Sequence, residues 1–295
     1  MFNRNRSWSA PLPLAFLALW GGLALLLGPN DLYLSRMLAD TSSQWARFFE
    51  VYGEHPAVLF AWAGSHLLLA SSRLRKDGLS FTLRLLLLAA NVTAGYAILH
   101  MTAERAFHVK PTGLHALLSL LAVAAAALLV QRLLARLSAE YLARFERAAL
   151  LSLLLVAAEL AAVHALKWGW GRIRFRDLLP DHSNFTVWYL PQGPNGNRSF
   201  PSAHAANSWT MLLLPGYVAA AGVRAYWRYA AWGCAIVWAS CTSLSRIVMG
   251  AHYATDILFG ACITISLYWV LHRTLEADTA SVRLRPFTQR SGLPK

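Results

Sequence analysis

Apolar residues gather in eight runs, each near the roughly 20-residue length that crosses a bilayer's hydrocarbon core. They cover about Pro11–Gly28, Pro56–Ser71, Phe81–Met101, Gly113–Gln131, Ala148–Leu166, Ala205–Gly222, Ala230–Leu244 and Ala254–His272. The second and seventh are short. The runs are rich in Leu and Ala, which predicts an all-α, polytopic transmembrane helix bundle of about eight spans. The first run follows Arg4 and Arg6, as in a secretory signal, but it is long and Gly28-Pro29-Asn30-Asp31 is a poor cleavage site. It reads as a retained anchor helix.

Polar positions between the runs add detail. In Asn30–His55, Leu32, Leu34, Met37, Leu38, Trp45, Phe48 and Phe49 alternate with polar residues, which predicts an amphipathic helix at the membrane interface. Arg132–Arg147 mixes Leu and Arg and is expected to extend the fourth span. After Arg273 the chain turns polar and basic, which predicts a disordered tail with affinity for anionic lipid. No internal repeat, low-complexity tract or soluble domain stands out.

Composition agrees with a membrane protein. Hydrophobic residues make up 57% of the 295, charged residues 14%, and the mean hydropathy is +0.41. An ordinary soluble domain carries about 25% charged residues. This argues against a soluble nucleic-acid binder despite the basic balance, and the high apolar content excludes intrinsic disorder. Cys234, Cys241 and Cys262 all lie in apolar runs and read as small hydrophobes rather than disulfide partners.

The net charge is +13. Eight spans put both termini on one side, and that side carries most of the Lys and Arg, so it should be cytoplasmic. Against this bias, Lys167, Arg172, Arg174, Arg176 and Arg198 crowd one loop, Lys167–His204, on the opposite side. Such a concentration needs another reason, and an anionic ligand supplies one.

Three segments fall on that opposite face. Lys167 is followed by Arg174 after the fifth run. Pro201-Ser202-Ala203-His204 precedes the sixth. Ser245-Arg246, His252 and Asp256 join the seventh to the eighth. Lys167, Arg174 and Arg246 can neutralise a phosphoryl group, and guanidinium forks match phosphate oxygens in pairs. Ser202 stands where a helix N-cap is expected, and the N–H groups of the following turn favour an anion. His252 and Asp256 are four apart and would share a helical face, the carboxylate fixing the imidazole tautomer. One unprotonated histidine as nucleophile and a second, His204, as acid describe phosphoryl transfer through a phosphohistidine.

These segments resemble the three-part signature of the type 2 phosphatidic acid phosphatase superfamily: Lys-x6-Arg-Pro, Pro-Ser-Gly-His and Ser-Arg-x5-His-x3-Asp. The resemblance covers about residues 148–272. It implies His252 as nucleophile, His204 as general acid and Asp256 as support for the nucleophile. It also implies a phosphate cradle of Lys167, Arg174, Ser202, Ala203 and Arg246, with no metal and no cofactor. Members act on phosphatidate, phosphatidylglycerophosphate, polyprenyl diphosphates and lipid A phosphates. Phe175 stands in place of the family proline and Ala203 in place of the glycine. The added methyl is expected to crowd the phosphate.

His164, Arg172, Arg176 and Arg198 are candidates for supporting the site or reading a headgroup, as are Asp177, Asp181 and His182. His100, His108, Arg105 and Lys110 read as headgroup contacts, and Trp168, Trp170, Trp188 and Tyr189 as an interfacial belt. Glu159, inside the fifth run, is expected to hydrogen-bond to a neighbouring helix. Pro191–Asn197 reads as a passive loop rather than a lid.

The expectation is an integral-membrane, metal-independent phosphatase acting on a lipid-linked phosphate monoester or diphosphate. Residues 1–147 would scaffold or select substrate, 148–272 would form the phosphatase core and 273–295 a basic cytoplasmic tail. The expected setting is a bacterial inner membrane, with both termini cytoplasmic and the site on the periplasmic or extracellular face. The partners would be the lipid phosphate and the bilayer, not nucleic acid. The alternatives are a lipid-to-lipid phosphotransferase using the same site, and a non-catalytic lipid transporter.

Overall fold

The computed structural model describes residues 11–73, 80–109 and 112–284. Twelve α-helices follow one another among these residues, with no strand. They are α1 (Pro11–Leu27), α2 (Asp31–Leu38), α3 (Gln44–Tyr52), α4 (His55–Ser72), α5 (Phe81–Phe107), α6 (Gly113–Leu134), α7 (Ala139–Ala143), α8 (Glu146–Trp170), α9 (Ala203–Trp209), α10 (Leu214–Ala220), α11 (Tyr226–Val248) and α12 (Ala254–Leu284). Six stretches of helix are long and apolar enough to cross a membrane. The expected helical bundle of membrane spans is therefore present.

The other two expected spans are α4 and the α9–α10 stretch; α4 and α9 lie largely inside the bundle, and α10 is partly exposed. α4 carries buried Ser65, His66, Ser71 and Ser72. Partners on adjoining helices satisfy two of its polar groups. Asn91 donates to the Ser65 hydroxyl at 2.9 Å, and the Gln131 amide lies 2.9 Å from His66 Nδ1. Gly64 sits against the Ala149 backbone so closely that a Cβ there would lie 2.8 Å from its carbonyl oxygen. A small residue thus brings α4 and α8 together, as small residues do between membrane helices. The sixth expected span is broken into α9, a 3-10 turn at Thr210–Leu213 and α10. Ser208 and Thr210 bond back to Ala205 and Asn207 carbonyls, and Pro215 has no N–H to continue the ladder. At the periphery, α1 docks on α12 through Trp20 against Phe259, and α6 buries little besides Val123.

Three expectations are corrected. Asn30–His55 forms two short helices, α2 and α3, that pack on α11 rather than one interfacial helix. Residues 132–147 do not extend the fourth span: α6 stops at Leu134, and the Ser138 hydroxyl caps the separate helix α7 by accepting from Tyr141 N–H. The basic stretch after Arg273 continues α12 as far as Leu284, and the remainder of the expected tail lies outside the described residues.

The helix directions build the site. The C-terminal ends of α5, α8 and α11 meet the N-terminal ends of α4, α9 and α12 at one end of the bundle. Helix N-termini and their unpaired N–H groups favour anions there.

Candidate active site

The three motif segments meet in this end. α8 closes with Gly171 in the left-handed conformation, φ 59°, which turns the chain back over the bundle. The loop that follows is pinned to the end of α8. Gln192 N–H donates to Trp170 O, and the Asn195 amide donates to Gly171 O, each at 2.8 Å. Farther along, Arg176 N–H donates to Gly250 O at 2.9 Å, so the Arg174 segment lies beside the turn that carries His252. Phe175 stacks on His182 at 5.6 Å.

Ser202 caps α9 as expected, its hydroxyl accepting from Ala205 N–H at 3.3 Å. Ser202 N–H in turn donates to Asp256 O, which joins the starts of α9 and α12. Ala203 takes ordinary helical backbone at the first position of α9. Its side chain therefore needs no left-handed conformation, and nothing in the backbone demands glycine.

His252 and Asp256 do not share a helical face. His252 lies in the turn before α12, and Asp256 is in its first turn. The carboxylate folds back to accept Tyr253 N–H at 3.0 Å, the reach of a capping residue toward its own N-cap. Its Oδ2 also accepts the Ser199 hydroxyl at 2.5 Å and lies 3.6 Å from His252 Nδ1, close beside it but beyond hydrogen-bond length. The two side chains are thus neighbours, with Nδ1 on the side of the acid and the ring lining the cavity of the site. Burial pulls the His252 imidazole down to about 3, so the ring is neutral near pH 7.

Arg172 is not a headgroup reader. Its guanidinium is buried, with 1% of the residue exposed, and lies beneath the site. It donates to Asp256 Oδ1 at 2.7 Å, Asp31 Oδ2 at 2.9 Å, the Thr255 hydroxyl and Thr186 O, with the Tyr253 ring 4.0 Å beneath. Asp31 also accepts Thr255 N–H at 2.9 Å. A buried lattice of one cation between two carboxylates thereby fixes the acid behind His252.

A cavity of about 470 Å³ opens between the two histidines. Arg174, Arg176 and Arg246 line it together with His204 and His252. Arg246 donates through Nη2 to Glu50, but its Nε and Nη1, like Nε of Arg174, are buried without a hydrogen-bond partner. Native structures rarely leave such donors unsatisfied. Three orphaned guanidinium nitrogens, on two arginines that line the cavity together with both imidazoles, suit an oxyanion. Lys167 is buried at the end of α8 and donates to Arg198 O at 2.6 Å. Arg198 contributes that carbonyl while the residue itself stays exposed. His164 is exposed on α8 and does not line the cavity.

The sequence reading missed the contribution of the N-terminal half. Arg47, Glu50, Arg105 and His108 line the same cavity. Glu50 bridges Arg246 at 3.1 Å, Arg176 at 3.6 Å and Arg47 at 3.0 Å. Burial alone would raise its carboxyl, but these arginines hold it below the usual range. Arg105 and His108 are thus site-lining rather than headgroup contacts only, and Lys110 lies outside the described residues. Glutamates in an arginine-rich cup were the available signal, but no local spacing connects Glu50 to Arg246. Glu159 also departs from expectation, since both its carboxylate oxygens are buried without a hydrogen-bond partner.

Compared with known proteins, residues 148–280 match the family model described as PAP2 superfamily. No curated protein and no solved structure matches the chain.

Proposed function

We propose, from the premise that residues 148–280 belong to the type 2 phosphatidic acid phosphatase superfamily, that this membrane protein is a lipid phosphate phosphatase. Membership supports a phosphoric ester hydrolase or phosphotransferase in general, and the apolar helices support an integral membrane protein. The observation that carries the finer reading is the set of unpartnered Arg246 and Arg174 donors between a neutral His252 and His204.

In this mechanism the phosphate enters the cup and takes the orphaned guanidinium N–H groups. His252 Nε2 attacks phosphorus, an N–P bond forms and the P–O bond to the alcohol or phosphate leaving group breaks. His204 gives that oxygen its proton. Water then attacks the phosphohistidine, His204 takes the proton and the N–P bond breaks. Arginines placed before the reaction stabilise the charge on the equatorial oxygens. Asp256, held by Arg172 and Ser199, keeps Nδ1 protonated.

A lipid substrate is supported by the surroundings. An apolar groove of about 570 Å³, lined by Phe48, Tyr52, Leu59, Met211 and Trp238, shares the α3–α4 corner with the cup. A headgroup in the cup leaves the tails in the bilayer beside this groove. The charge bias supports cytoplasmic termini and, with them, a cup on the periplasmic or extracellular face of a bacterial inner membrane.

The test is phosphate release by the purified protein in detergent with EDTA. Phosphatidate, phosphatidylglycerophosphate, a polyprenyl diphosphate and a lipid A phosphate are offered to wild type and His252→Gln. Release that survives the chelator and vanishes in the variant supports the reading, and the preferred lipid identifies the substrate. Release by His252→Gln refutes the nucleophile assignment.

A further inference from the structure

Glu54 lies outside the matched region, at the N-cap of α4, and is 6% exposed. Its carboxylate faces His204. Oε1 lies 3.4 Å from His204 Nδ1 and accepts the Asn207 amide at 3.1 Å, while Oε2 pairs with Arg105 at 2.5 Å. The other ring nitrogen, Nε2, lies 3.1 Å from Glu50 O and 3.5 Å from Arg105 Nη1. Each imidazole nitrogen therefore faces an oxygen acceptor, and only a ring with two protons donates to both.

The other groups facing this ring are Arg105 from α5, Arg246 from α11 and His252 from the turn before α12. Burial outweighs the opposing Glu54 carboxylate and, with Arg246, Arg105 and His252, holds the ring well below the usual imidazole range, so Glu54 is the group that favours its protonated form. A neutral His204 has no spare proton for a leaving alkoxide once Nδ1–H is turned to Glu54.

We propose that Glu54 is a positioning residue that holds His204 in the orientation and proton-bearing form needed to protonate the leaving group. This rests on the phosphatase reading above. In the step, the His252 N–P bond forms, the P–O bond breaks, the His204 proton passes to the leaving oxygen and Glu54 stays ionised throughout. Arg105, paired to the same carboxylate, tempers its pull on the ring. The N-terminal half of the chain thus sets the acid, while the matched C-terminal half supplies the nucleophile.

The experiment compares two leaving groups. A long-chain alkyl phosphate releases an alkoxide that needs a proton, whereas p-nitrophenyl phosphate releases a stable phenolate that does not. General acid catalysis contributes about 10²–10⁴-fold. Glu54→Gln should therefore lose at least about tenfold in kcat/KM on the alkyl phosphate and under about threefold on the nitrophenyl ester. The alkaline limb of its alkyl phosphate profile should move to lower pH by about one unit, the lower end for a charge at this distance. Arg105→Gln should move that limb the opposite way, and Glu54→Asp should restore it. Equal losses on both esters, or limbs that do not move in opposite directions, overturn the proposal and leave Glu54 a packing residue. If Glu54→Gln does not fold, the Arg105→Gln and Glu54→Asp profiles decide the matter, and an unmoved Arg105→Gln limb overturns it. Activity surviving in His252→Gln instead refutes the site reading on which the proposal rests.

Discussion

Replacing Asp31 by Ala should destabilise the whole bundle and slow phosphate release, although Asp31 is far in sequence from every residue proposed to act in catalysis. Asp31 is fully buried and accepts Arg172 Nη2, Thr255 N–H and the Thr255 hydroxyl. Alanine leaves three donors without an acceptor and Arg172 with one carboxylate instead of two. Removing one partner of a buried pair costs about 3–5 kcal/mol. The orphaned Thr255 N–H adds to that, but the Thr255 hydroxyl can rotate and Arg172 retains Asp256. A net cost of about 4 kcal/mol is the working figure. For a chain of this size each kcal/mol moves Tm by about 2–4 °C, so a fall of about 10 °C is expected in detergent. Arg172 and Thr255 also hold the first turn of α12, where Asp256 meets His252. A looser Asp256 should lower kcat by about tenfold, which is ~1.4 kcal/mol in the barrier. Thermal unfolding and phosphate release on the same preparation test both. A Tm within about 2 °C of wild type with kcat unchanged would refute the claim that the two halves share one buried charge network.

Other outcomes follow from the cup and its rim. Glu50→Gln removes the carboxylate that occupies Arg246 and Arg176, so inorganic phosphate should inhibit the variant at several-fold lower concentration. Unchanged inhibition would mean that Glu50 does not compete with the anion. Gly171→Ala combines a left-handed φ of 59° with a Cβ pressed against Gly193 O and Asn195. It should lower Tm and weaken activity together, because the same turn aims Arg172 and Arg174. Wild-type values for both measurements would show that the turn is not needed.

Much of the architecture is legible without coordinates because its signals are local. Run length and Leu/Ala content give the helical membrane class, since a bilayer tests apolarity over consecutive residues. The capping role of Ser202 is visible because a cap needs only its own turn. The meeting of the three motif segments could be inferred because each borders an apolar run on the same side, and residues 148–280 carry them all. Where local signals misled, tertiary context had intervened. His252 and Asp256 pair across a helix start rather than along a face, because Asp256 is used as a cap.

The rest was decided by packing. Arg172 reads in the sequence as one more loop cation. It becomes a buried strut only because α2 brings Asp31 beneath it. Glu50, Glu54 and Arg105 enter the cup from α3, the α3–α4 corner and α5, each more than ninety residues away in sequence from its partner, His204 or Arg246. No periodicity encodes such pairs, since charges find their partners through space once water is excluded. Run length and spacing along the chain are enough to read a helical membrane protein with two histidines and a cluster of arginines near one end of its spans. The tertiary structure alone decided which carboxylates stand beside those histidines, because burial and distance, rather than spacing along the chain, set electrostatic coupling.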